Sequence, residues 1–174
     1  VSRGLGDVYK RQHLNWLDPE ITNIAPVLNS YWLMIHVSII TASYGFLALG
    51  AVLGLFSLWL IIFTSSETKK KLLNTIKELT LINEKSITIG LFMLTIGTFL
   101  GGVWANESWG RYWGWDPKET WALVSILVYA FILHMRLIPA LSGIYIFNLA
   151  TLIGISSIIM TYFGVNYYLS GLHS

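Results

Sequence analysis

Four long apolar stretches restrict this chain to a membrane. They cover residues 37–63, 87–103, 120–135 and 143–165. At ~1.5 Å per helical residue, the first stretch is ~40 Å long and exceeds the ~30 Å hydrocarbon core of a bilayer, whereas the second and third are near the lower limit for a span. We therefore predict an all-α, polytopic helical bundle with four transmembrane helices.

The composition excludes the common soluble classes. Only 11% of the 174 residues are charged and 55% are hydrophobic, and the mean hydropathy is +0.62. A soluble domain carries roughly 25% charged residues, so this chain has too few to cover a globular surface. An ordinary cytosolic enzyme, a nucleic-acid binder and a disordered chain are thereby excluded. The chain has no Cys, which excludes disulfides, thiolate ligands and thiol chemistry of its own.

The ends of the chain differ in character from its middle. Residues 1–12 are polar, contain glycine and are not followed by the hydrophobic core of a signal peptide, so we interpret them as a non-native tail. Residues 13–36 are predicted to be an external N-terminal segment, and residues 37–174 the four-span membrane domain. We expect the chain to be a piece of a longer protein whose upstream part is missing.

The distribution of basic residues predicts the orientation in the membrane. With residues 1–12 left out, the connection 64–86 carries five Lys, and Arg136 lies on the same side. The opposite side carries only Arg111 and Lys118. The positive-inside rule then makes residues 64–86 a cytoplasmic loop and residues 104–121 an external loop.

The predicted cytoplasmic loop also has a helical pattern of apolar residues. This pattern favours a short amphipathic helix lying on the membrane, and a solvated charged loop is the alternative. The apolar positions are Leu72, Ile76, Leu79 and Ile82.

The external loop is rich in tryptophan. Asp116 before Pro117, with Glu119 at the third helical position, is typical of a capped helix start. Interfacial tryptophans often form an aromatic belt, but belts spread their rings over several helix ends. Here Gly110 and Gly114 separate the rings along one loop, an arrangement that suits a broad, flat, apolar ligand. Five of the eight Trp lie in this region: Trp104, Trp109, Trp113, Trp115 and Trp121.

Two of the four histidines are predicted to lie beside the tryptophan loop. His36 precedes the first span and His173 follows the fourth, so both fall on the external side, whereas His134 lies at the inner end of the third span and His13 adjoins the tail. Two neutral imidazoles can bind one haem iron from opposite faces. A metal site without a macrocycle would need further ligands, such as Asp116 and Glu119, and would leave the tryptophans unexplained.

These segments resemble a known family. The run Trp109-Gly-Arg-Tyr-Trp113-Gly-Trp115-Asp116-Pro-Lys-Glu119 resembles the tryptophan-rich WWD signature of haem-handling proteins, which include the CcsA/ResC cytochrome c synthetase subunits and the related CcmC and CcmF proteins. The segments 28–36 and 164–174 resemble the two histidine segments that flank this signature in the CcsA branch.

The resemblance implies a function and a set of site residues. It implies that His36 and His173 are external axial ligands of a non-covalent b-type haem, and that His134 is an intramembrane histidine on the route of haem from the cytoplasmic side. It implies delivery of haem to an apocytochrome c with a Cys-x-x-Cys-His segment, whose thiols form thioethers with the haem vinyl groups. The implied haem platform is Trp109, Gly110, Tyr112, Trp113, Trp115 and Asp116, with Arg111 or Lys118 as partners of the propionates.

The resemblance also implies a setting for the protein, and two alternatives stay open. The chain is expected in a cytoplasmic or thylakoid-type membrane, as a subunit of a cytochrome c synthetase with a CcsB/ResB-type partner. The first alternative is a haem-transfer protein of the CcmC kind, which makes no thioethers. The second is a transport or channel subunit in which the histidines and charged residues line a solute path.

Overall fold

The computed structural model describes residues 30–169, which form a bundle of four long helices. They are α1 (Tyr31–Phe63), α2 (Ser66–Trp109), α3 (Pro117–His134) and α4 (Ile144–Ile159). A 3₁₀ turn, Met135–Leu137, extends α3, and a π-helical segment, Met160–Gly164, followed by the turn Val165–Tyr168, extends α4. With these extensions, each helix is long and apolar enough to cross a membrane, which confirms the predicted all-α, four-span membrane bundle.

Helices α1 and α2 form a long antiparallel hairpin. Only Thr64 and Ser65 separate them. Gly50 of α1 lies close to Ile87 of α2, and Gly97 of α2 lies close to Ile40 of α1. The two helices therefore run in opposite directions over most of their length. The apolar core of the bundle consists of Leu47, Ile87, Leu94, Tyr129, Ile132, Phe147 and Ile158.

Most of the predicted cytoplasmic loop, residues 64–86, is helical in the structure. From Ser66 onwards it is the first part of α2, a single helix of 44 residues and ~66 Å. The segment is helical, as its apolar pattern indicates, but it continues into the second span and is not a short separate helix; the alternative of a solvated loop is wrong. The physical reason is that one face of this segment packs into the bundle: Ile76 and Thr80 are buried, and Thr80 accepts a hydrogen bond from Asn148, while Lys70 and Lys77 are exposed. The position of the segment on the membrane surface stays a prediction.

A buried polar cluster connects α1, α2 and α4. The Asn83 amide of α2 donates to Asn148 Oδ1 of α4 at 3.0 Å and to Thr151 Oγ1 at 3.1 Å. Asn148 in turn donates to Thr80 Oγ1 at 2.9 Å. Gly54 of α1 packs directly against Thr151. Side-chain hydrogen bonds of this kind stabilise contacts between helices in lipid, where no water is available to bond the polar groups.

The two ends of the bundle carry different groups. At one end Arg136, just after α3, forms a 3.0 Å salt bridge with Glu84 of α2 and donates to the Ser142 carbonyl at 2.6 Å. At the other end the start of α1 meets the residues 110–116 that connect α2 to α3. The predicted tryptophan loop, residues 104–121, is therefore mostly the ends of two helices joined by a seven-residue connection.

Candidate functional site

A cavity of about 520 Å³ opens among the four helices at the end that holds the 110–116 connection. Its volume lies within the range of small-molecule and cofactor sites. Tyrosine, tryptophan and aliphatic side chains form most of its wall, together with a few polar groups. The lining includes Leu33, His36, Ile40 and Tyr44 of α1, Thr98, Gly101 and Gly102 of α2, Tyr112 and Trp113 of the connection, Lys118 and Glu119 of α3, and Thr161, Tyr162 and Asn166 near the end of the chain.

His36 is held against α2 by a hydrogen bond and by a close packing contact. Its Nδ1 atom lies 2.7 Å from the Gly97 carbonyl oxygen. Because a carbonyl oxygen only accepts, Nδ1 carries the proton and the lone pair of the neutral ring lies on Nε2. A Cβ atom at position 101 would lie 2.6 Å from His36 Cε1, so only glycine leaves room for the ring there. The ring is therefore fixed in tautomer and in orientation, as metal-binding histidines are.

Gly110 ends α2 and starts the aromatic connection. Its φ of 74° is left-handed, and its N–H donates to the Asn106 carbonyl at 2.8 Å, which caps the helix. Just before it, Trp109 packs edge-on against Trp104, with ring centroids 4.8 Å apart. Trp109 itself is exposed and does not line the cavity, whereas Trp104 is buried and does.

The next two tryptophans have different environments. Trp113 lines the cavity, whereas Trp115 is 71% exposed. Their rings meet edge-to-face at 5.8 Å and 88°. Trp115 also has a φ of 56°, which makes it the one described non-glycine residue with a positive φ. Of the predicted platform, Tyr112 and Trp113 are thus brought to the cavity, and Trp115 packs behind Trp113.

The start of α3 carries the predicted capping box. Asp116 is buried, and its side chain accepts the N–H of Lys118. Glu119 Oε2 accepts the N–H of Asp116 at 3.2 Å and also that of Gly114 at 2.8 Å. The capping role predicted for Asp116 is confirmed. Both carboxylates bind backbone N–H groups, and residues 30–169 contain no group of three or more His, Asp or Glu that would hold a metal ion without a macrocycle.

The two predicted cations occupy different places. Lys118 lines the cavity. Arg111 is exposed, and its guanidinium packs over Gly114, where a Cβ would lie 2.8 Å from Cζ. Of the two predicted cations, only Lys118 lines the cavity.

The other histidines lie elsewhere. His134 is the last residue of α3, is exposed and has its Nδ1 atom 2.7 Å from the Ala130 carbonyl oxygen. It lies 16 residues after Lys118, ~24 Å along the helix, and does not line the cavity. His173 and His13 lie outside the described residues.

Two features of the cavity were not predicted. The segment Met160–Gly164 is π-helical, and two of its residues, Thr161 and Tyr162, line the cavity. Tyr162 meets Tyr44 of α1 edge-on at 6.4 Å, which links α1 to the fourth span across the bundle. π-bulges are often found at functional sites, but no residue pattern marks one in a single sequence.

The fold and the site define a class: a multi-pass membrane helical bundle with an aromatic-walled cavity and a fixed histidine at one end. Residues 11–173 match the family described as cytochrome C assembly protein. The chain belongs to this family, and its similarity is to members of the CcsA type.

Three relatives give the extent of the similarity. The chain is 59% identical over 162 residues to protein NrfI of Wolinella succinogenes, covering 93% of this chain and 18% of the relative. It is 43% identical over 152 residues to the cytochrome c biogenesis protein CcsA of Chlamydomonas reinhardtii, covering 87% and 42%. It is 38% identical over 182 residues to CcsA of Prochlorococcus marinus, covering 88% and 56%. The chain thus spans from about a fifth to just over half of the lengths of these relatives.

Proposed function

We propose that this protein handles haem during cytochrome c maturation, and that the cavity holds a non-covalent b-type haem for delivery to an apocytochrome c. The observation that supports the proposal most strongly is the tautomer and the position of the His36 ring. The ring stands in the wall of the cavity with Nδ1 hydrogen-bonded to Gly97, which directs the lone pair of the ring to Nε2. A histidine that ligates haem iron needs this tautomer.

The lining of the cavity is suited to haem in its chemistry. Haem is flat and apolar over both faces, and carries two carboxylates at one edge. Tyr112 and Trp113 offer aromatic surface to such a ring, and Lys118 offers a positive charge to a propionate. Arg111 is exposed beside the cavity and would reach a propionate only at its rim.

His173 is proposed as the second axial ligand. It follows the fourth span in a segment that resembles the second histidine segment of the CcsA branch, and it lies outside the described residues. Two imidazole ligands would occupy both axial positions of the iron and shield it from oxygen and other ligands.

The attachment chemistry needs two thiols that this chain does not have. Each S–H of a Cys-x-x-Cys-His segment adds across one haem vinyl C=C bond, and the thiol hydrogen moves to carbon, so that no electrons are gained or lost. The chain contains no Cys, and both thiols therefore come from the apocytochrome. The part of this chain is to bind haem, to orient it and to leave one edge of it accessible.

The remaining parts of the proposal concern transit and assembly. His134 lies at the opposite end of α3 from the cavity, on an exposed face, and we propose that it contacts haem on its way from the cytoplasmic side. The cavity end would be external, in a cytoplasmic or thylakoid-type membrane, and a CcsB/ResB-type partner would complete the assembly.

Purification from haem-replete cells tests the proposal. We expect the protein to carry haem with a low-spin, six-coordinate spectrum. A colourless preparation would overturn the proposal and favour a transport or channel subunit. Co-expression with an apocytochrome then distinguishes the two haem functions, because a CcmC-like transfer protein would carry haem without forming thioethers.

A further inference from the structure

We propose that Glu119 is a positioning residue: it holds Trp115 in a left-handed backbone conformation and thereby fixes the aromatic wall that Trp113 presents to the cavity. This inference rests on the proposed function only in that haem is taken as the ligand of the cavity. Its structural part concerns the protein alone.

Glu119 holds the backbone on both sides of Trp115. A single oxygen, Oε2, accepts the N–H of Gly114 at 2.8 Å and the N–H of Asp116 at 3.2 Å. The bond to Asp116 belongs to the capping box of α3. The bond to Gly114 does not, because a capping box requires only the N-cap amide. The shorter of the two bonds is therefore not explained by helix capping.

Trp115 needs such support. Its φ of 56° is left-handed, a conformation that is a true outlier for a bulky residue and persists only where surrounding groups enforce it. Hydrogen bonds from backbone N–H groups to a carboxylate are stronger than neutral ones. Two of them, one on each side of the residue, are suited to enforce the strained conformation.

The conformation of Trp115 determines what the cavity presents to a ligand. Its ring meets Trp113 edge-to-face at 5.8 Å, and Trp113 lines the cavity. On the other side of the connection, the Tyr112 carbonyl packs close to Gly102 of α2, where a Cβ would lie 3.1 Å from the oxygen. Trp113 and Gly114 thus lie between two fixed points, and release of one of them frees the Trp113 ring.

Amide hydrogen exchange in the haem-free protein tests the hydrogen bonds directly. In Glu119→Ala, the Gly114 and Asp116 amides should exchange about 10- to 100-fold faster, because hydrogen bonds to charged groups contribute free energies in that range. Glu119→Gln keeps one acceptor oxygen of the same reach and should restore most of the protection. The Gly110 amide, which donates to Asn106, is the internal control and should not change. Unchanged exchange at Gly114 in Glu119→Ala would overturn the inference.

A matched pair of variants at position 115 tests the role of backbone strain. Trp115→Gly and Trp115→Ala both remove the ring, but only glycine adopts positive φ without strain. A 5-fluorotryptophan at position 113 reports the order of that ring by ¹⁹F resonance. Adding Glu119→Ala should broaden or split this resonance clearly more in the Trp115→Ala background, where the left-handed conformation is strained, than in the Trp115→Gly background, where it is not. An equal effect in both backgrounds would contradict the inference and reduce Glu119 to a helix cap.

Haem retention separates this inference from the proposed function. Glu119→Ala should lower haem retention while the low-spin spectrum of the remaining haem is kept, and Glu119→Gln should restore retention. If the wild-type protein binds no haem but the exchange and fluorine results hold, the proposed function fails and the positioning role stands. If the wild-type protein binds haem and Glu119→Ala retains it fully, the positioning role has no bearing on the ligand and the inference is overturned.

Discussion

The Nδ1 atom of His36 lies 2.7 Å from the carbonyl oxygen of Gly97, 61 residues further along the chain. This bond joins the first turns of α1 to the last turns of α2 at the wall of the cavity. One helix supplies the imidazole, and the other fixes its tautomer and leaves room for its ring at Gly101. The properties of the candidate haem ligand therefore depend on the packing of two helices as well as on the histidine.

A methyl group at position 101 should displace the His36 ring. In Gly101→Ala we expect loss of haem, or a change from a low-spin to a mixed-spin spectrum, because the new Cβ would lie 2.6 Å from Cε1. Absorption spectra of the purified protein measure both effects. Gly45→Ala is the matched control, because Gly45 lies in α1 of the same hairpin and no atom lies within 4 Å of a Cβ built there. Equal haem content and equal spectra in the two variants would contradict the account of His36.

Loss of the Trp113 ring should weaken haem binding without changing the iron ligands. In Trp113→Ala we expect lower haem retention during purification with the spectrum of the wild type, because packing surface is lost and ligation is kept. Trp59→Ala is the control, since Trp59 lies near the other end of α1 and does not line the cavity. A preparation of Trp113→Ala with full haem content would exclude this ring from the site.

The Asn83–Asn148 contact should stabilise the bundle. In Asn83→Ala we expect a loss of ~1–3 kcal/mol in the free energy of unfolding, because Thr151 and Asn148 lose a buried donor. Unfolding in a denaturing detergent measures this change. Asn74→Ala, at an exposed position of the same helix, should change the stability by less than about 0.5 kcal/mol. Equal stabilities of the two variants would show that the polar cluster contributes nothing.

The orientation predicted from the basic residues is testable by labelling single cysteines. The chain has no native Cys, so a Cys at Lys70 or at Ser108 is the only target. An impermeant thiol reagent should label position 108 in intact cells and position 70 only after the cells are opened. Labelling of position 70 alone in intact cells would reverse the orientation and place the cavity on the cytoplasmic side.

His134 is expected to affect the supply of haem and to leave its ligation unchanged. In His134→Ala we predict less haem in the cavity and an unchanged low-spin spectrum, with partial restoration by added imidazole. The reason is distance, since His134 lies ~24 Å along α3 from Lys118 and outside the cavity. A haem content equal to that of the wild type would contradict a role of His134 in haem supply. Its role would then be structural, through its hydrogen bond to the Ala130 carbonyl.

The four spans were predictable because lipid demands long apolar segments, and hydropathy alone reveals them. The extent of α2 could not be predicted in the same way, because the lysines at its start are typical of a loop. Ile76 and Thr80 are buried in this part of α2, and a pattern within one segment does not show the tertiary neighbours that bury a residue. The capping box at Asp116 was predictable, because its partners lie within three residues of one another.

The sequence singled out several residues that line the cavity, but the contacts that support them could not be predicted from it. Tryptophans, glycines and His36 indicated a flat ligand, and the structure brings His36, Tyr112, Trp113 and Lys118 to one cavity. Nothing in the sequence indicates that Gly101 lies against the His36 ring. The bond from Gly114 to Glu119 depends on the left-handed conformation of Trp115, which nothing in the sequence specifies for a tryptophan.

The spectrum of His36→Gly distinguishes a haem ligand at position 36 from a structural histidine. Glycine at position 36 removes the imidazole and leaves a gap that free imidazole fills. We expect the wild-type protein to carry low-spin, six-coordinate haem with little affinity for carbon monoxide. We expect His36→Gly to lose most of this haem and to carry the remainder with an open axial position that binds carbon monoxide, and added imidazole should restore the low-spin spectrum. His173→Gly should behave in the same way, and His13→Gly should resemble the wild type. Full haem content with an unchanged low-spin spectrum in His36→Gly would contradict the account.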